Sequence, residues 1–138
     1  MAITQAFCNQ AKIDFLAGVH LAADVYKIAL YTSAATLDKT TTAYTASNEV
    51  ANGNGYTTGG MTLPGYASAL SGDTGYISFT NAAWTTASFT ARGALIYNSS
   101  RSNKAIAVID FGADYTATNG TFTVVMPAAG ATAIIRIA

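Results

Sequence analysis

Residues 91–111, ARGALIYNSSRSNKAIAVIDF, decide the fold of this chain. Two largely apolar runs, Ala91–Tyr97 and Lys104–Phe111, flank the polar link Asn98–Asn103. Runs rich in branched and aromatic residues favour strands, and a short polar link between two of them predicts a β-hairpin. The second run is apolar at both sets of alternate positions. We therefore expect both of its faces to be covered, as in a sandwich interior or at a subunit contact.

Further strands are predicted on both sides of this hairpin. They lie at Tyr26–Thr32, Tyr76–Thr80, Thr121–Met126 and Thr132–Ile137. Asn119-Gly120 predicts a two-residue turn before the third of them. Between the first two, Ser33–Gly65 is a long stretch of small polar residues, in which short strands are expected only around Glu49–Val50 and Met61–Leu63. Long connections of this kind are usually functional or pack on a partner.

One helix is predicted, over about residues 4–18. Its apolar stripe recurs every four residues, at Phe7, Ala11, Phe15 and Val19, with Cys8 and Leu16 beside it. Thr4 is the expected N-cap and Gly18 the expected end. The chain shows no alternation of strands and helices. It is therefore predicted to be a mainly β protein, an antiparallel β-sandwich of jelly-roll-like type with one N-terminal helix, forming a single domain over residues 1–138.

The composition is unusually poor in charge. Seven basic and seven acidic residues make up only 10% of 138 residues, against about 25% in an average domain. The neutral balance argues against a nucleic-acid binder, and the 51% hydrophobic content argues against disorder. Every long uncharged stretch is broken by glycine, asparagine and threonine, so we expect no membrane span. A secretory signal is not expected either, because no basic start precedes an apolar run.

The sequence offers little for catalysis. His20 is the only histidine and Cys8 the only cysteine, so no disulfide framework, multi-cysteine zinc site or Ser/His/Asp arrangement is expected. His20 is interpreted as capping the carbonyl end of the helix, and Cys8 as a buried hydrophobic residue. Asp110 and Asp114 are interpreted as turn residues. The glycines at 53–60 match no phosphate-binding motif. We predict no enzyme, no cofactor and no metal.

Aromatic residues in loop-like segments are the better candidates for contact with a partner. Four tyrosines lie in such segments, namely Tyr44, Tyr56, Tyr66 and Tyr115. Aromatic anchors of this kind dominate many interfaces.

Several blocks of the sequence resemble a family of small virion proteins of tailed bacteriophages. The blocks are MAITQAFCN at 1–9, YKIALYTSAATL at 26–37, GYTTGG at 55–60, ARGALIYNSS at 91–100, AIAVIDFG at 105–112 and IIRI at 134–137. The resemblance runs nearly from end to end and brings no catalytic motif. It implies a capsid cement (decoration) protein, made in the host cytoplasm and placed on the outer surface of the icosahedral head. The implied partners are the major capsid protein and further copies of the chain itself.

The interface hypothesis combines this resemblance with the residue pattern. Eight residues are proposed to face a partner: Phe7, Tyr44, Tyr56, Gly59, Gly60, Tyr66, Ile135 and Ile137. Neutral surfaces of small residues can pack closely with little desolvation of charge, which suits a cement protein. The alternative is a tail- or fibre-associated virion module that contacts glycans through exposed tyrosines. An enzyme is the third and weakest alternative.

Overall fold

A computed structural model describes residues 2–137. The protein is mainly β, with two antiparallel sheets and one short helix, as predicted. In chain order the elements are β1 (Ala6–Phe7), α1 (Asn9–Leu16), β2 (Tyr26–Tyr31), β3 (Met61–Thr62), β4 (Ala67–Ser71), β5 (Thr74–Ser78), β6 (Ala82–Asn98), β7 (Lys104–Val124) and β8 (Ile135–Ile137). The jelly-roll connectivity stays a prediction.

The predicted hairpin forms the centre of the larger sheet. Its five strands lie in the order β1-β7-β6-β2-β3, with Leu95 of β6 opposite Val108 of β7 and Ile96 opposite Ile28 of β2. The four consecutive residues Ala105–Val108 are all buried. Consecutive burial means that both faces of the strand are covered, which confirms the interpretation of this run.

The β6–β7 ribbon is longer than predicted and it bends. Opposite Arg92 alone, β7 carries the four residues 111–114, three more than regular pairing would place there, and Asp110 accepts a hydrogen bond from the amide of Gly112 at the start of this bulge. A second irregularity lies at Thr86 and Asn119, which have φ values of 50° and 46°. The predicted turn at Asn119-Gly120 is therefore wrong. Asn119 has the left-handed conformation that a turn would need. However, β6 pairs with β7 on both sides of Asn119, so this residue bends a continuous strand.

The smaller sheet has the order β4-β5-β8. Its strand β4, with the sequence ASALS, was not predicted, because alanine and serine carry little β-propensity. The strands predicted at Tyr76–Thr80 and Thr132–Ile137 are found as β5 and β8, shifted or shortened at their ends.

The helix is half as long as predicted. Phe7 lies on β1 opposite Ala107, and α1 begins only after Cys8. Thr4 does not cap it, because its amide donates to the carbonyl of Leu37. Residues 6–7 pair with β7 at the edge of the larger sheet, so they do not extend the helix. Gly18 does end the helical segment, at φ 75°, as predicted.

The long segment between β2 and β4 is mostly irregular, as predicted. Its regular contacts are the short strand β3 and four isolated bridges, which pair Leu37 with Ile3, Ala43 with Lys104, Glu49 with Tyr31, and Gly53 with Tyr56. Over residues 2–137, no helix has the length and apolar character needed to span a membrane.

Candidate functional site

An apolar groove lies on the surface where the N-terminal segment meets the smaller sheet. It has a volume of about 90 Å³ and is lined by residues of β1, α1, β5 and β8. The rings of Phe7 and Phe15 meet edge to face across it, with centroids 5.9 Å apart. Chain ends that are more than 100 residues apart in sequence thus form one surface.

Strand register explains why this surface is apolar. Ile77 of β5 lies opposite Ile135 of β8, and Gly75 lies opposite both Leu70 of β4 and Ile137 of β8. Directly opposed residues share one face of a sheet, so these side chains form one apolar strip. The strip runs from buried Ile135 outward to Leu70 and Ile137, which are 75% and 60% exposed.

We call this set the assembly surface. It consists of Phe7, Phe15, Leu70, Ile77, Ile135 and Ile137. Three of the eight predicted interface residues belong to it, Phe7, Ile135 and Ile137. Phe7 is half-buried, Ile137 is exposed, and Ile135 lies at the buried floor. Leu70 was missed because β4 was missed, although an isolated leucine among small polar residues was a usable signal.

One carboxylate, that of Glu49, accepts hydrogen bonds from three other predicted interface residues. Its oxygens accept hydrogen bonds from the hydroxyl of Tyr44 at 2.6 Å, from the hydroxyl of Tyr56, and from the amide of Gly59 at 2.7 Å. The hydroxyl of Tyr56 also accepts the amide of Leu30 on β2 at 2.9 Å. The carboxylate therefore ties the long segment to the larger sheet.

This network corrects the prediction that Tyr56 and Gly59 face a partner. Tyr56 is 2% exposed, and Gly59 is buried under Tyr97, whose hydroxyl donates to the Gly59 carbonyl at 2.6 Å. Burial raises the pKa of Tyr56 far above its usual range, and the hydrogen bond to Glu49 raises it further. Sequence reasoning treated the tyrosine as a loop residue because its docking on β2 depends on contacts distant in sequence.

The remaining predicted residues occupy intermediate positions. Tyr44 stacks on Tyr97 with ring centroids 4.8 Å apart, and Tyr66 stacks on Tyr26 at 5.3 Å. Both are half-buried and serve the core with at least one face. Gly60 is half-buried beside β2. None of these three residues belongs to the assembly surface.

A second groove follows the concave side of the bent ribbon. Its volume is about 510 Å³, and Phe111, Tyr115, Phe122 and Val125 are among its lining residues. Tyr115 is 55% exposed and lies on β7, so the interpretation of its segment as a loop is wrong. It remains a candidate for contact.

The two residues considered for reactivity are both buried. Cys8 has no exposed surface, and burial raises the pKa of its thiol to about 11, which confirms it as a buried hydrophobic residue. The prediction that His20 caps the helix is wrong, because the only hydrogen-bond partner of its imidazole among the described residues is the side-chain amide of Asn98 at the β6–β7 turn. Among residues 2–137, no group of three His, Cys, Asp or Glu side chains could hold a metal ion.

The sequence matches no protein-family model, and no curated protein and no solved structure is significantly similar to it. The resemblance to phage virion proteins therefore stays a prediction.

Proposed function

We propose that the chain is a bacteriophage capsid cement protein, which binds the outer surface of the icosahedral head and stabilises contacts between major capsid subunits. The observation that carries the proposal is the assembly surface. Its two outermost members, Leu70 and Ile137, are apolar and more than half exposed, and they flank a glycine at the end of a sheet. Exposed apolar strips with a buried floor are typical of protein-binding surfaces.

The sequence supports the same proposal from a different side. Both segments that carry Phe7 and Ile137 lie in blocks that resemble the phage family, at 1–9 and 134–137. The six residues of the assembly surface are uncharged, and the groove that they line has one charged residue, Arg136, among its described lining. Binding there would desolvate few charges, so it suits a neutral protein on a crowded shell. Repetition over many symmetry-related sites then raises the apparent affinity.

The test measures binding of the purified protein to expanded, undecorated shells of the virion that carries it. Leu70→Asp and Ile137→Asp each place a charge on the assembly surface, and we expect affinity to fall by about tenfold or more. Leu16→Asp is the matched control, because Leu16 is also a leucine, is 75% exposed like Leu70, and lines neither of the two grooves. We expect it to bind as wild type. Wild-type affinity in both surface variants would contradict the proposal.

The groove beside Tyr115 favours a second candidate, a tail- or fibre-associated module that contacts glycans. Exposed aromatic rings offer apolar faces on which sugars can stack, and Tyr115 stands beside Phe111 with ring centroids 6.4 Å apart. Electron cryomicroscopy of the virion separates the two candidates. Density of this size between capsomers supports the cement protein. Density confined to the tail, with glycan binding lost in Tyr115→Ala, supports the second.

A further inference from the structure

His20 is enclosed where three parts of the fold meet. Its imidazole lies in the connection between α1 and β2, residues 17–25, and its side chain has no exposed surface. The ring of Phe15 packs against it with centroids 4.7 Å apart, and the ring of Tyr26 lies at 6.4 Å. The third contact is Asn98, the last residue of β6, whose amide nitrogen lies 3.0 Å from the imidazole Nδ1.

The hydrogen bonds of Asn98 define the protonation state of the histidine. The Asn98 Oδ1 accepts the amide of Ser100 at 3.0 Å, and its Nδ2 donates to Asp24 Oδ2 at 2.9 Å. Reversing the side-chain amide would lose both bonds and turn an oxygen toward a carboxylate. The Nδ2 therefore faces His20 as a donor, and Nδ1 must accept. This arrangement assigns a neutral imidazole with its hydrogen on Nε2, which lies 3.9 Å from Asp14 Oδ2 and has no hydrogen-bond partner among the described residues.

Protonation of Nδ1 is incompatible with this arrangement. It would bring an N–H of the ring against an N–H of Asn98, at a separation of 3.0 Å and without access to water. Two donors cannot share that contact, so the ring must leave its position to hold a second proton.

The charged groups around the ring do not remove this conflict. Asp14 of α1 lies 3.9 Å from Nε2, and Asp24 of the connection also favours a positive imidazole. Lys104 of β7 and Arg101 of the turn oppose it. Lys104 is itself 3.8 Å from Asp14 and competes for that carboxylate. Desolvation is the largest influence, so the pKa of His20 lies below its usual 6.5.

We propose that His20 is an acid-sensitive latch: the neutral imidazole ties residues 17–20, the first part of the connection, to the β6–β7 turn, and its protonation releases those residues. The release is local. Asp24 is held by two hydrogen bonds from Arg101, at 2.9 and 3.0 Å, which keep the pKa of its carboxyl far below the usual range. This second tie therefore persists at the mildly acidic pH that opens the latch.

The first test uses the wild-type protein alone. His20 is the only histidine, so imidazole resonances in a nitrogen-15 NMR titration need no assignment. We expect the Nε2–H tautomer at pH 7.5 and a titration midpoint below 6.5. As the pH falls from 6.5 to the folded-state pKa, the population in which residue 20 is released should rise by up to about tenfold per pH unit. A resonance pattern with hydrogen on Nδ1, or a midpoint at or above 6.5, would overturn the latch.

Hydrogen exchange locates the release. Protection factors of residues 17–20, corrected for the intrinsic pH dependence of exchange, should fall between pH 7.5 and 5.5, while those of Val25, which donates to Ser100, and of β2 stay constant. In His20→Gln, which cannot titrate, the same residues should show no such fall. Equal behaviour of wild type and variant would contradict the proposal. The NMR titration remains decisive if the variant does not fold.

One consequence rests on the proposed function. Phe15 contacts both His20 and Phe7, so release of the latch would disturb the assembly surface and weaken shell binding at pH 5.5 relative to pH 7.5. The NMR and exchange tests use the free protein. Failure of the latch and failure of the capsid proposal are therefore distinguishable.

Discussion

At the scale of single residues, Glu49 is the polar side chain on which the long segment depends. One carboxylate serves two tyrosine hydroxyls and one backbone amide. Hydrogen bonds to a charged acceptor stabilise more than neutral ones, and a buried group left without its partner is costly. This polar network therefore adds to the apolar contacts that Leu37, Val50 and Leu63 of the segment make in the core.

The two tyrosine hydroxyls should differ in their contribution to stability. Tyr44→Phe removes one bond to Glu49, and we expect the free energy of unfolding to fall by about 1 kcal/mol. Tyr56→Phe also leaves the amide of Leu30 without its acceptor in the core, so we expect a loss of about 2–3 kcal/mol. Urea unfolding followed by circular dichroism measures both. Equal losses would show that the Leu30 contact contributes nothing.

At the scale of elements, the close approach of the long segment to β2 depends on a glycine. Gly60 has a φ of 80°, and a Cβ built on it would overlap the carbonyl oxygen of Ile28. The backbone of this segment therefore touches the backbone of β2 directly. Only glycine permits both the left-handed conformation and the contact.

Gly112 allows the two effects to be separated. It has the same φ of 80°, but nothing lies within 4 Å of its Cβ position. Gly112→Ala should cost about 1–2 kcal/mol through backbone strain alone. Gly60→Ala should cost about 3 kcal/mol or more, because β2 or the segment must also move. The comparison is made by thermal and urea unfolding of the two variants. Similar losses would mean that the contact with Ile28 is easily relieved.

At the scale of the whole molecule, two acid-sensitive groups predict how stability depends on pH. The pKa of His20 is lowered from 6.5 in the folded state, so its contribution is complete above pH 6.5 and is lost as pH falls toward the folded-state value. The pKa of Asp24 is lowered from 3.8, so its contribution is complete above that value and is lost at lower pH. The two losses therefore begin at different pH values, near 6.5 and near 3.8.

Urea unfolding at a series of pH values should therefore show a first decline just below pH 6.5 and a second below about pH 4. Arg101→Ala removes the hydrogen bonds that lower the pKa of Asp24, so we expect it to reduce the second decline strongly; its effect on the first decline should be smaller, because Arg101 is only a minor influence on the pKa of His20. His20→Gln should do the reverse. One continuous decline, unchanged in both variants, would contradict the assignment of these groups.

The sequence alone determined most of the longer strand segments, the hairpin around Asn98–Asn103, and that Ala105–Val108 is covered on both faces. These features follow from local propensity and from periodicity, which a single segment carries. Tertiary structure decided the rest. Residues 6–7 pair with a distant strand and shorten the helix, and Asn119-Gly120 bends a ribbon that pairs on both sides of it.

The candidate site divides in the same way. Phe7, Ile135 and Ile137 were predicted as interface residues, but the groove that unites them exists only because β8 pairs with β5 beside α1. Tyr56 and Gly59 were placed on the surface because their local sequence is that of a loop. Their burial depends on Glu49 and Tyr97, which lie 7 to 38 residues away in sequence. Burial of these residues depends on packing against residues that are distant in sequence, so the local amino-acid pattern does not predict it.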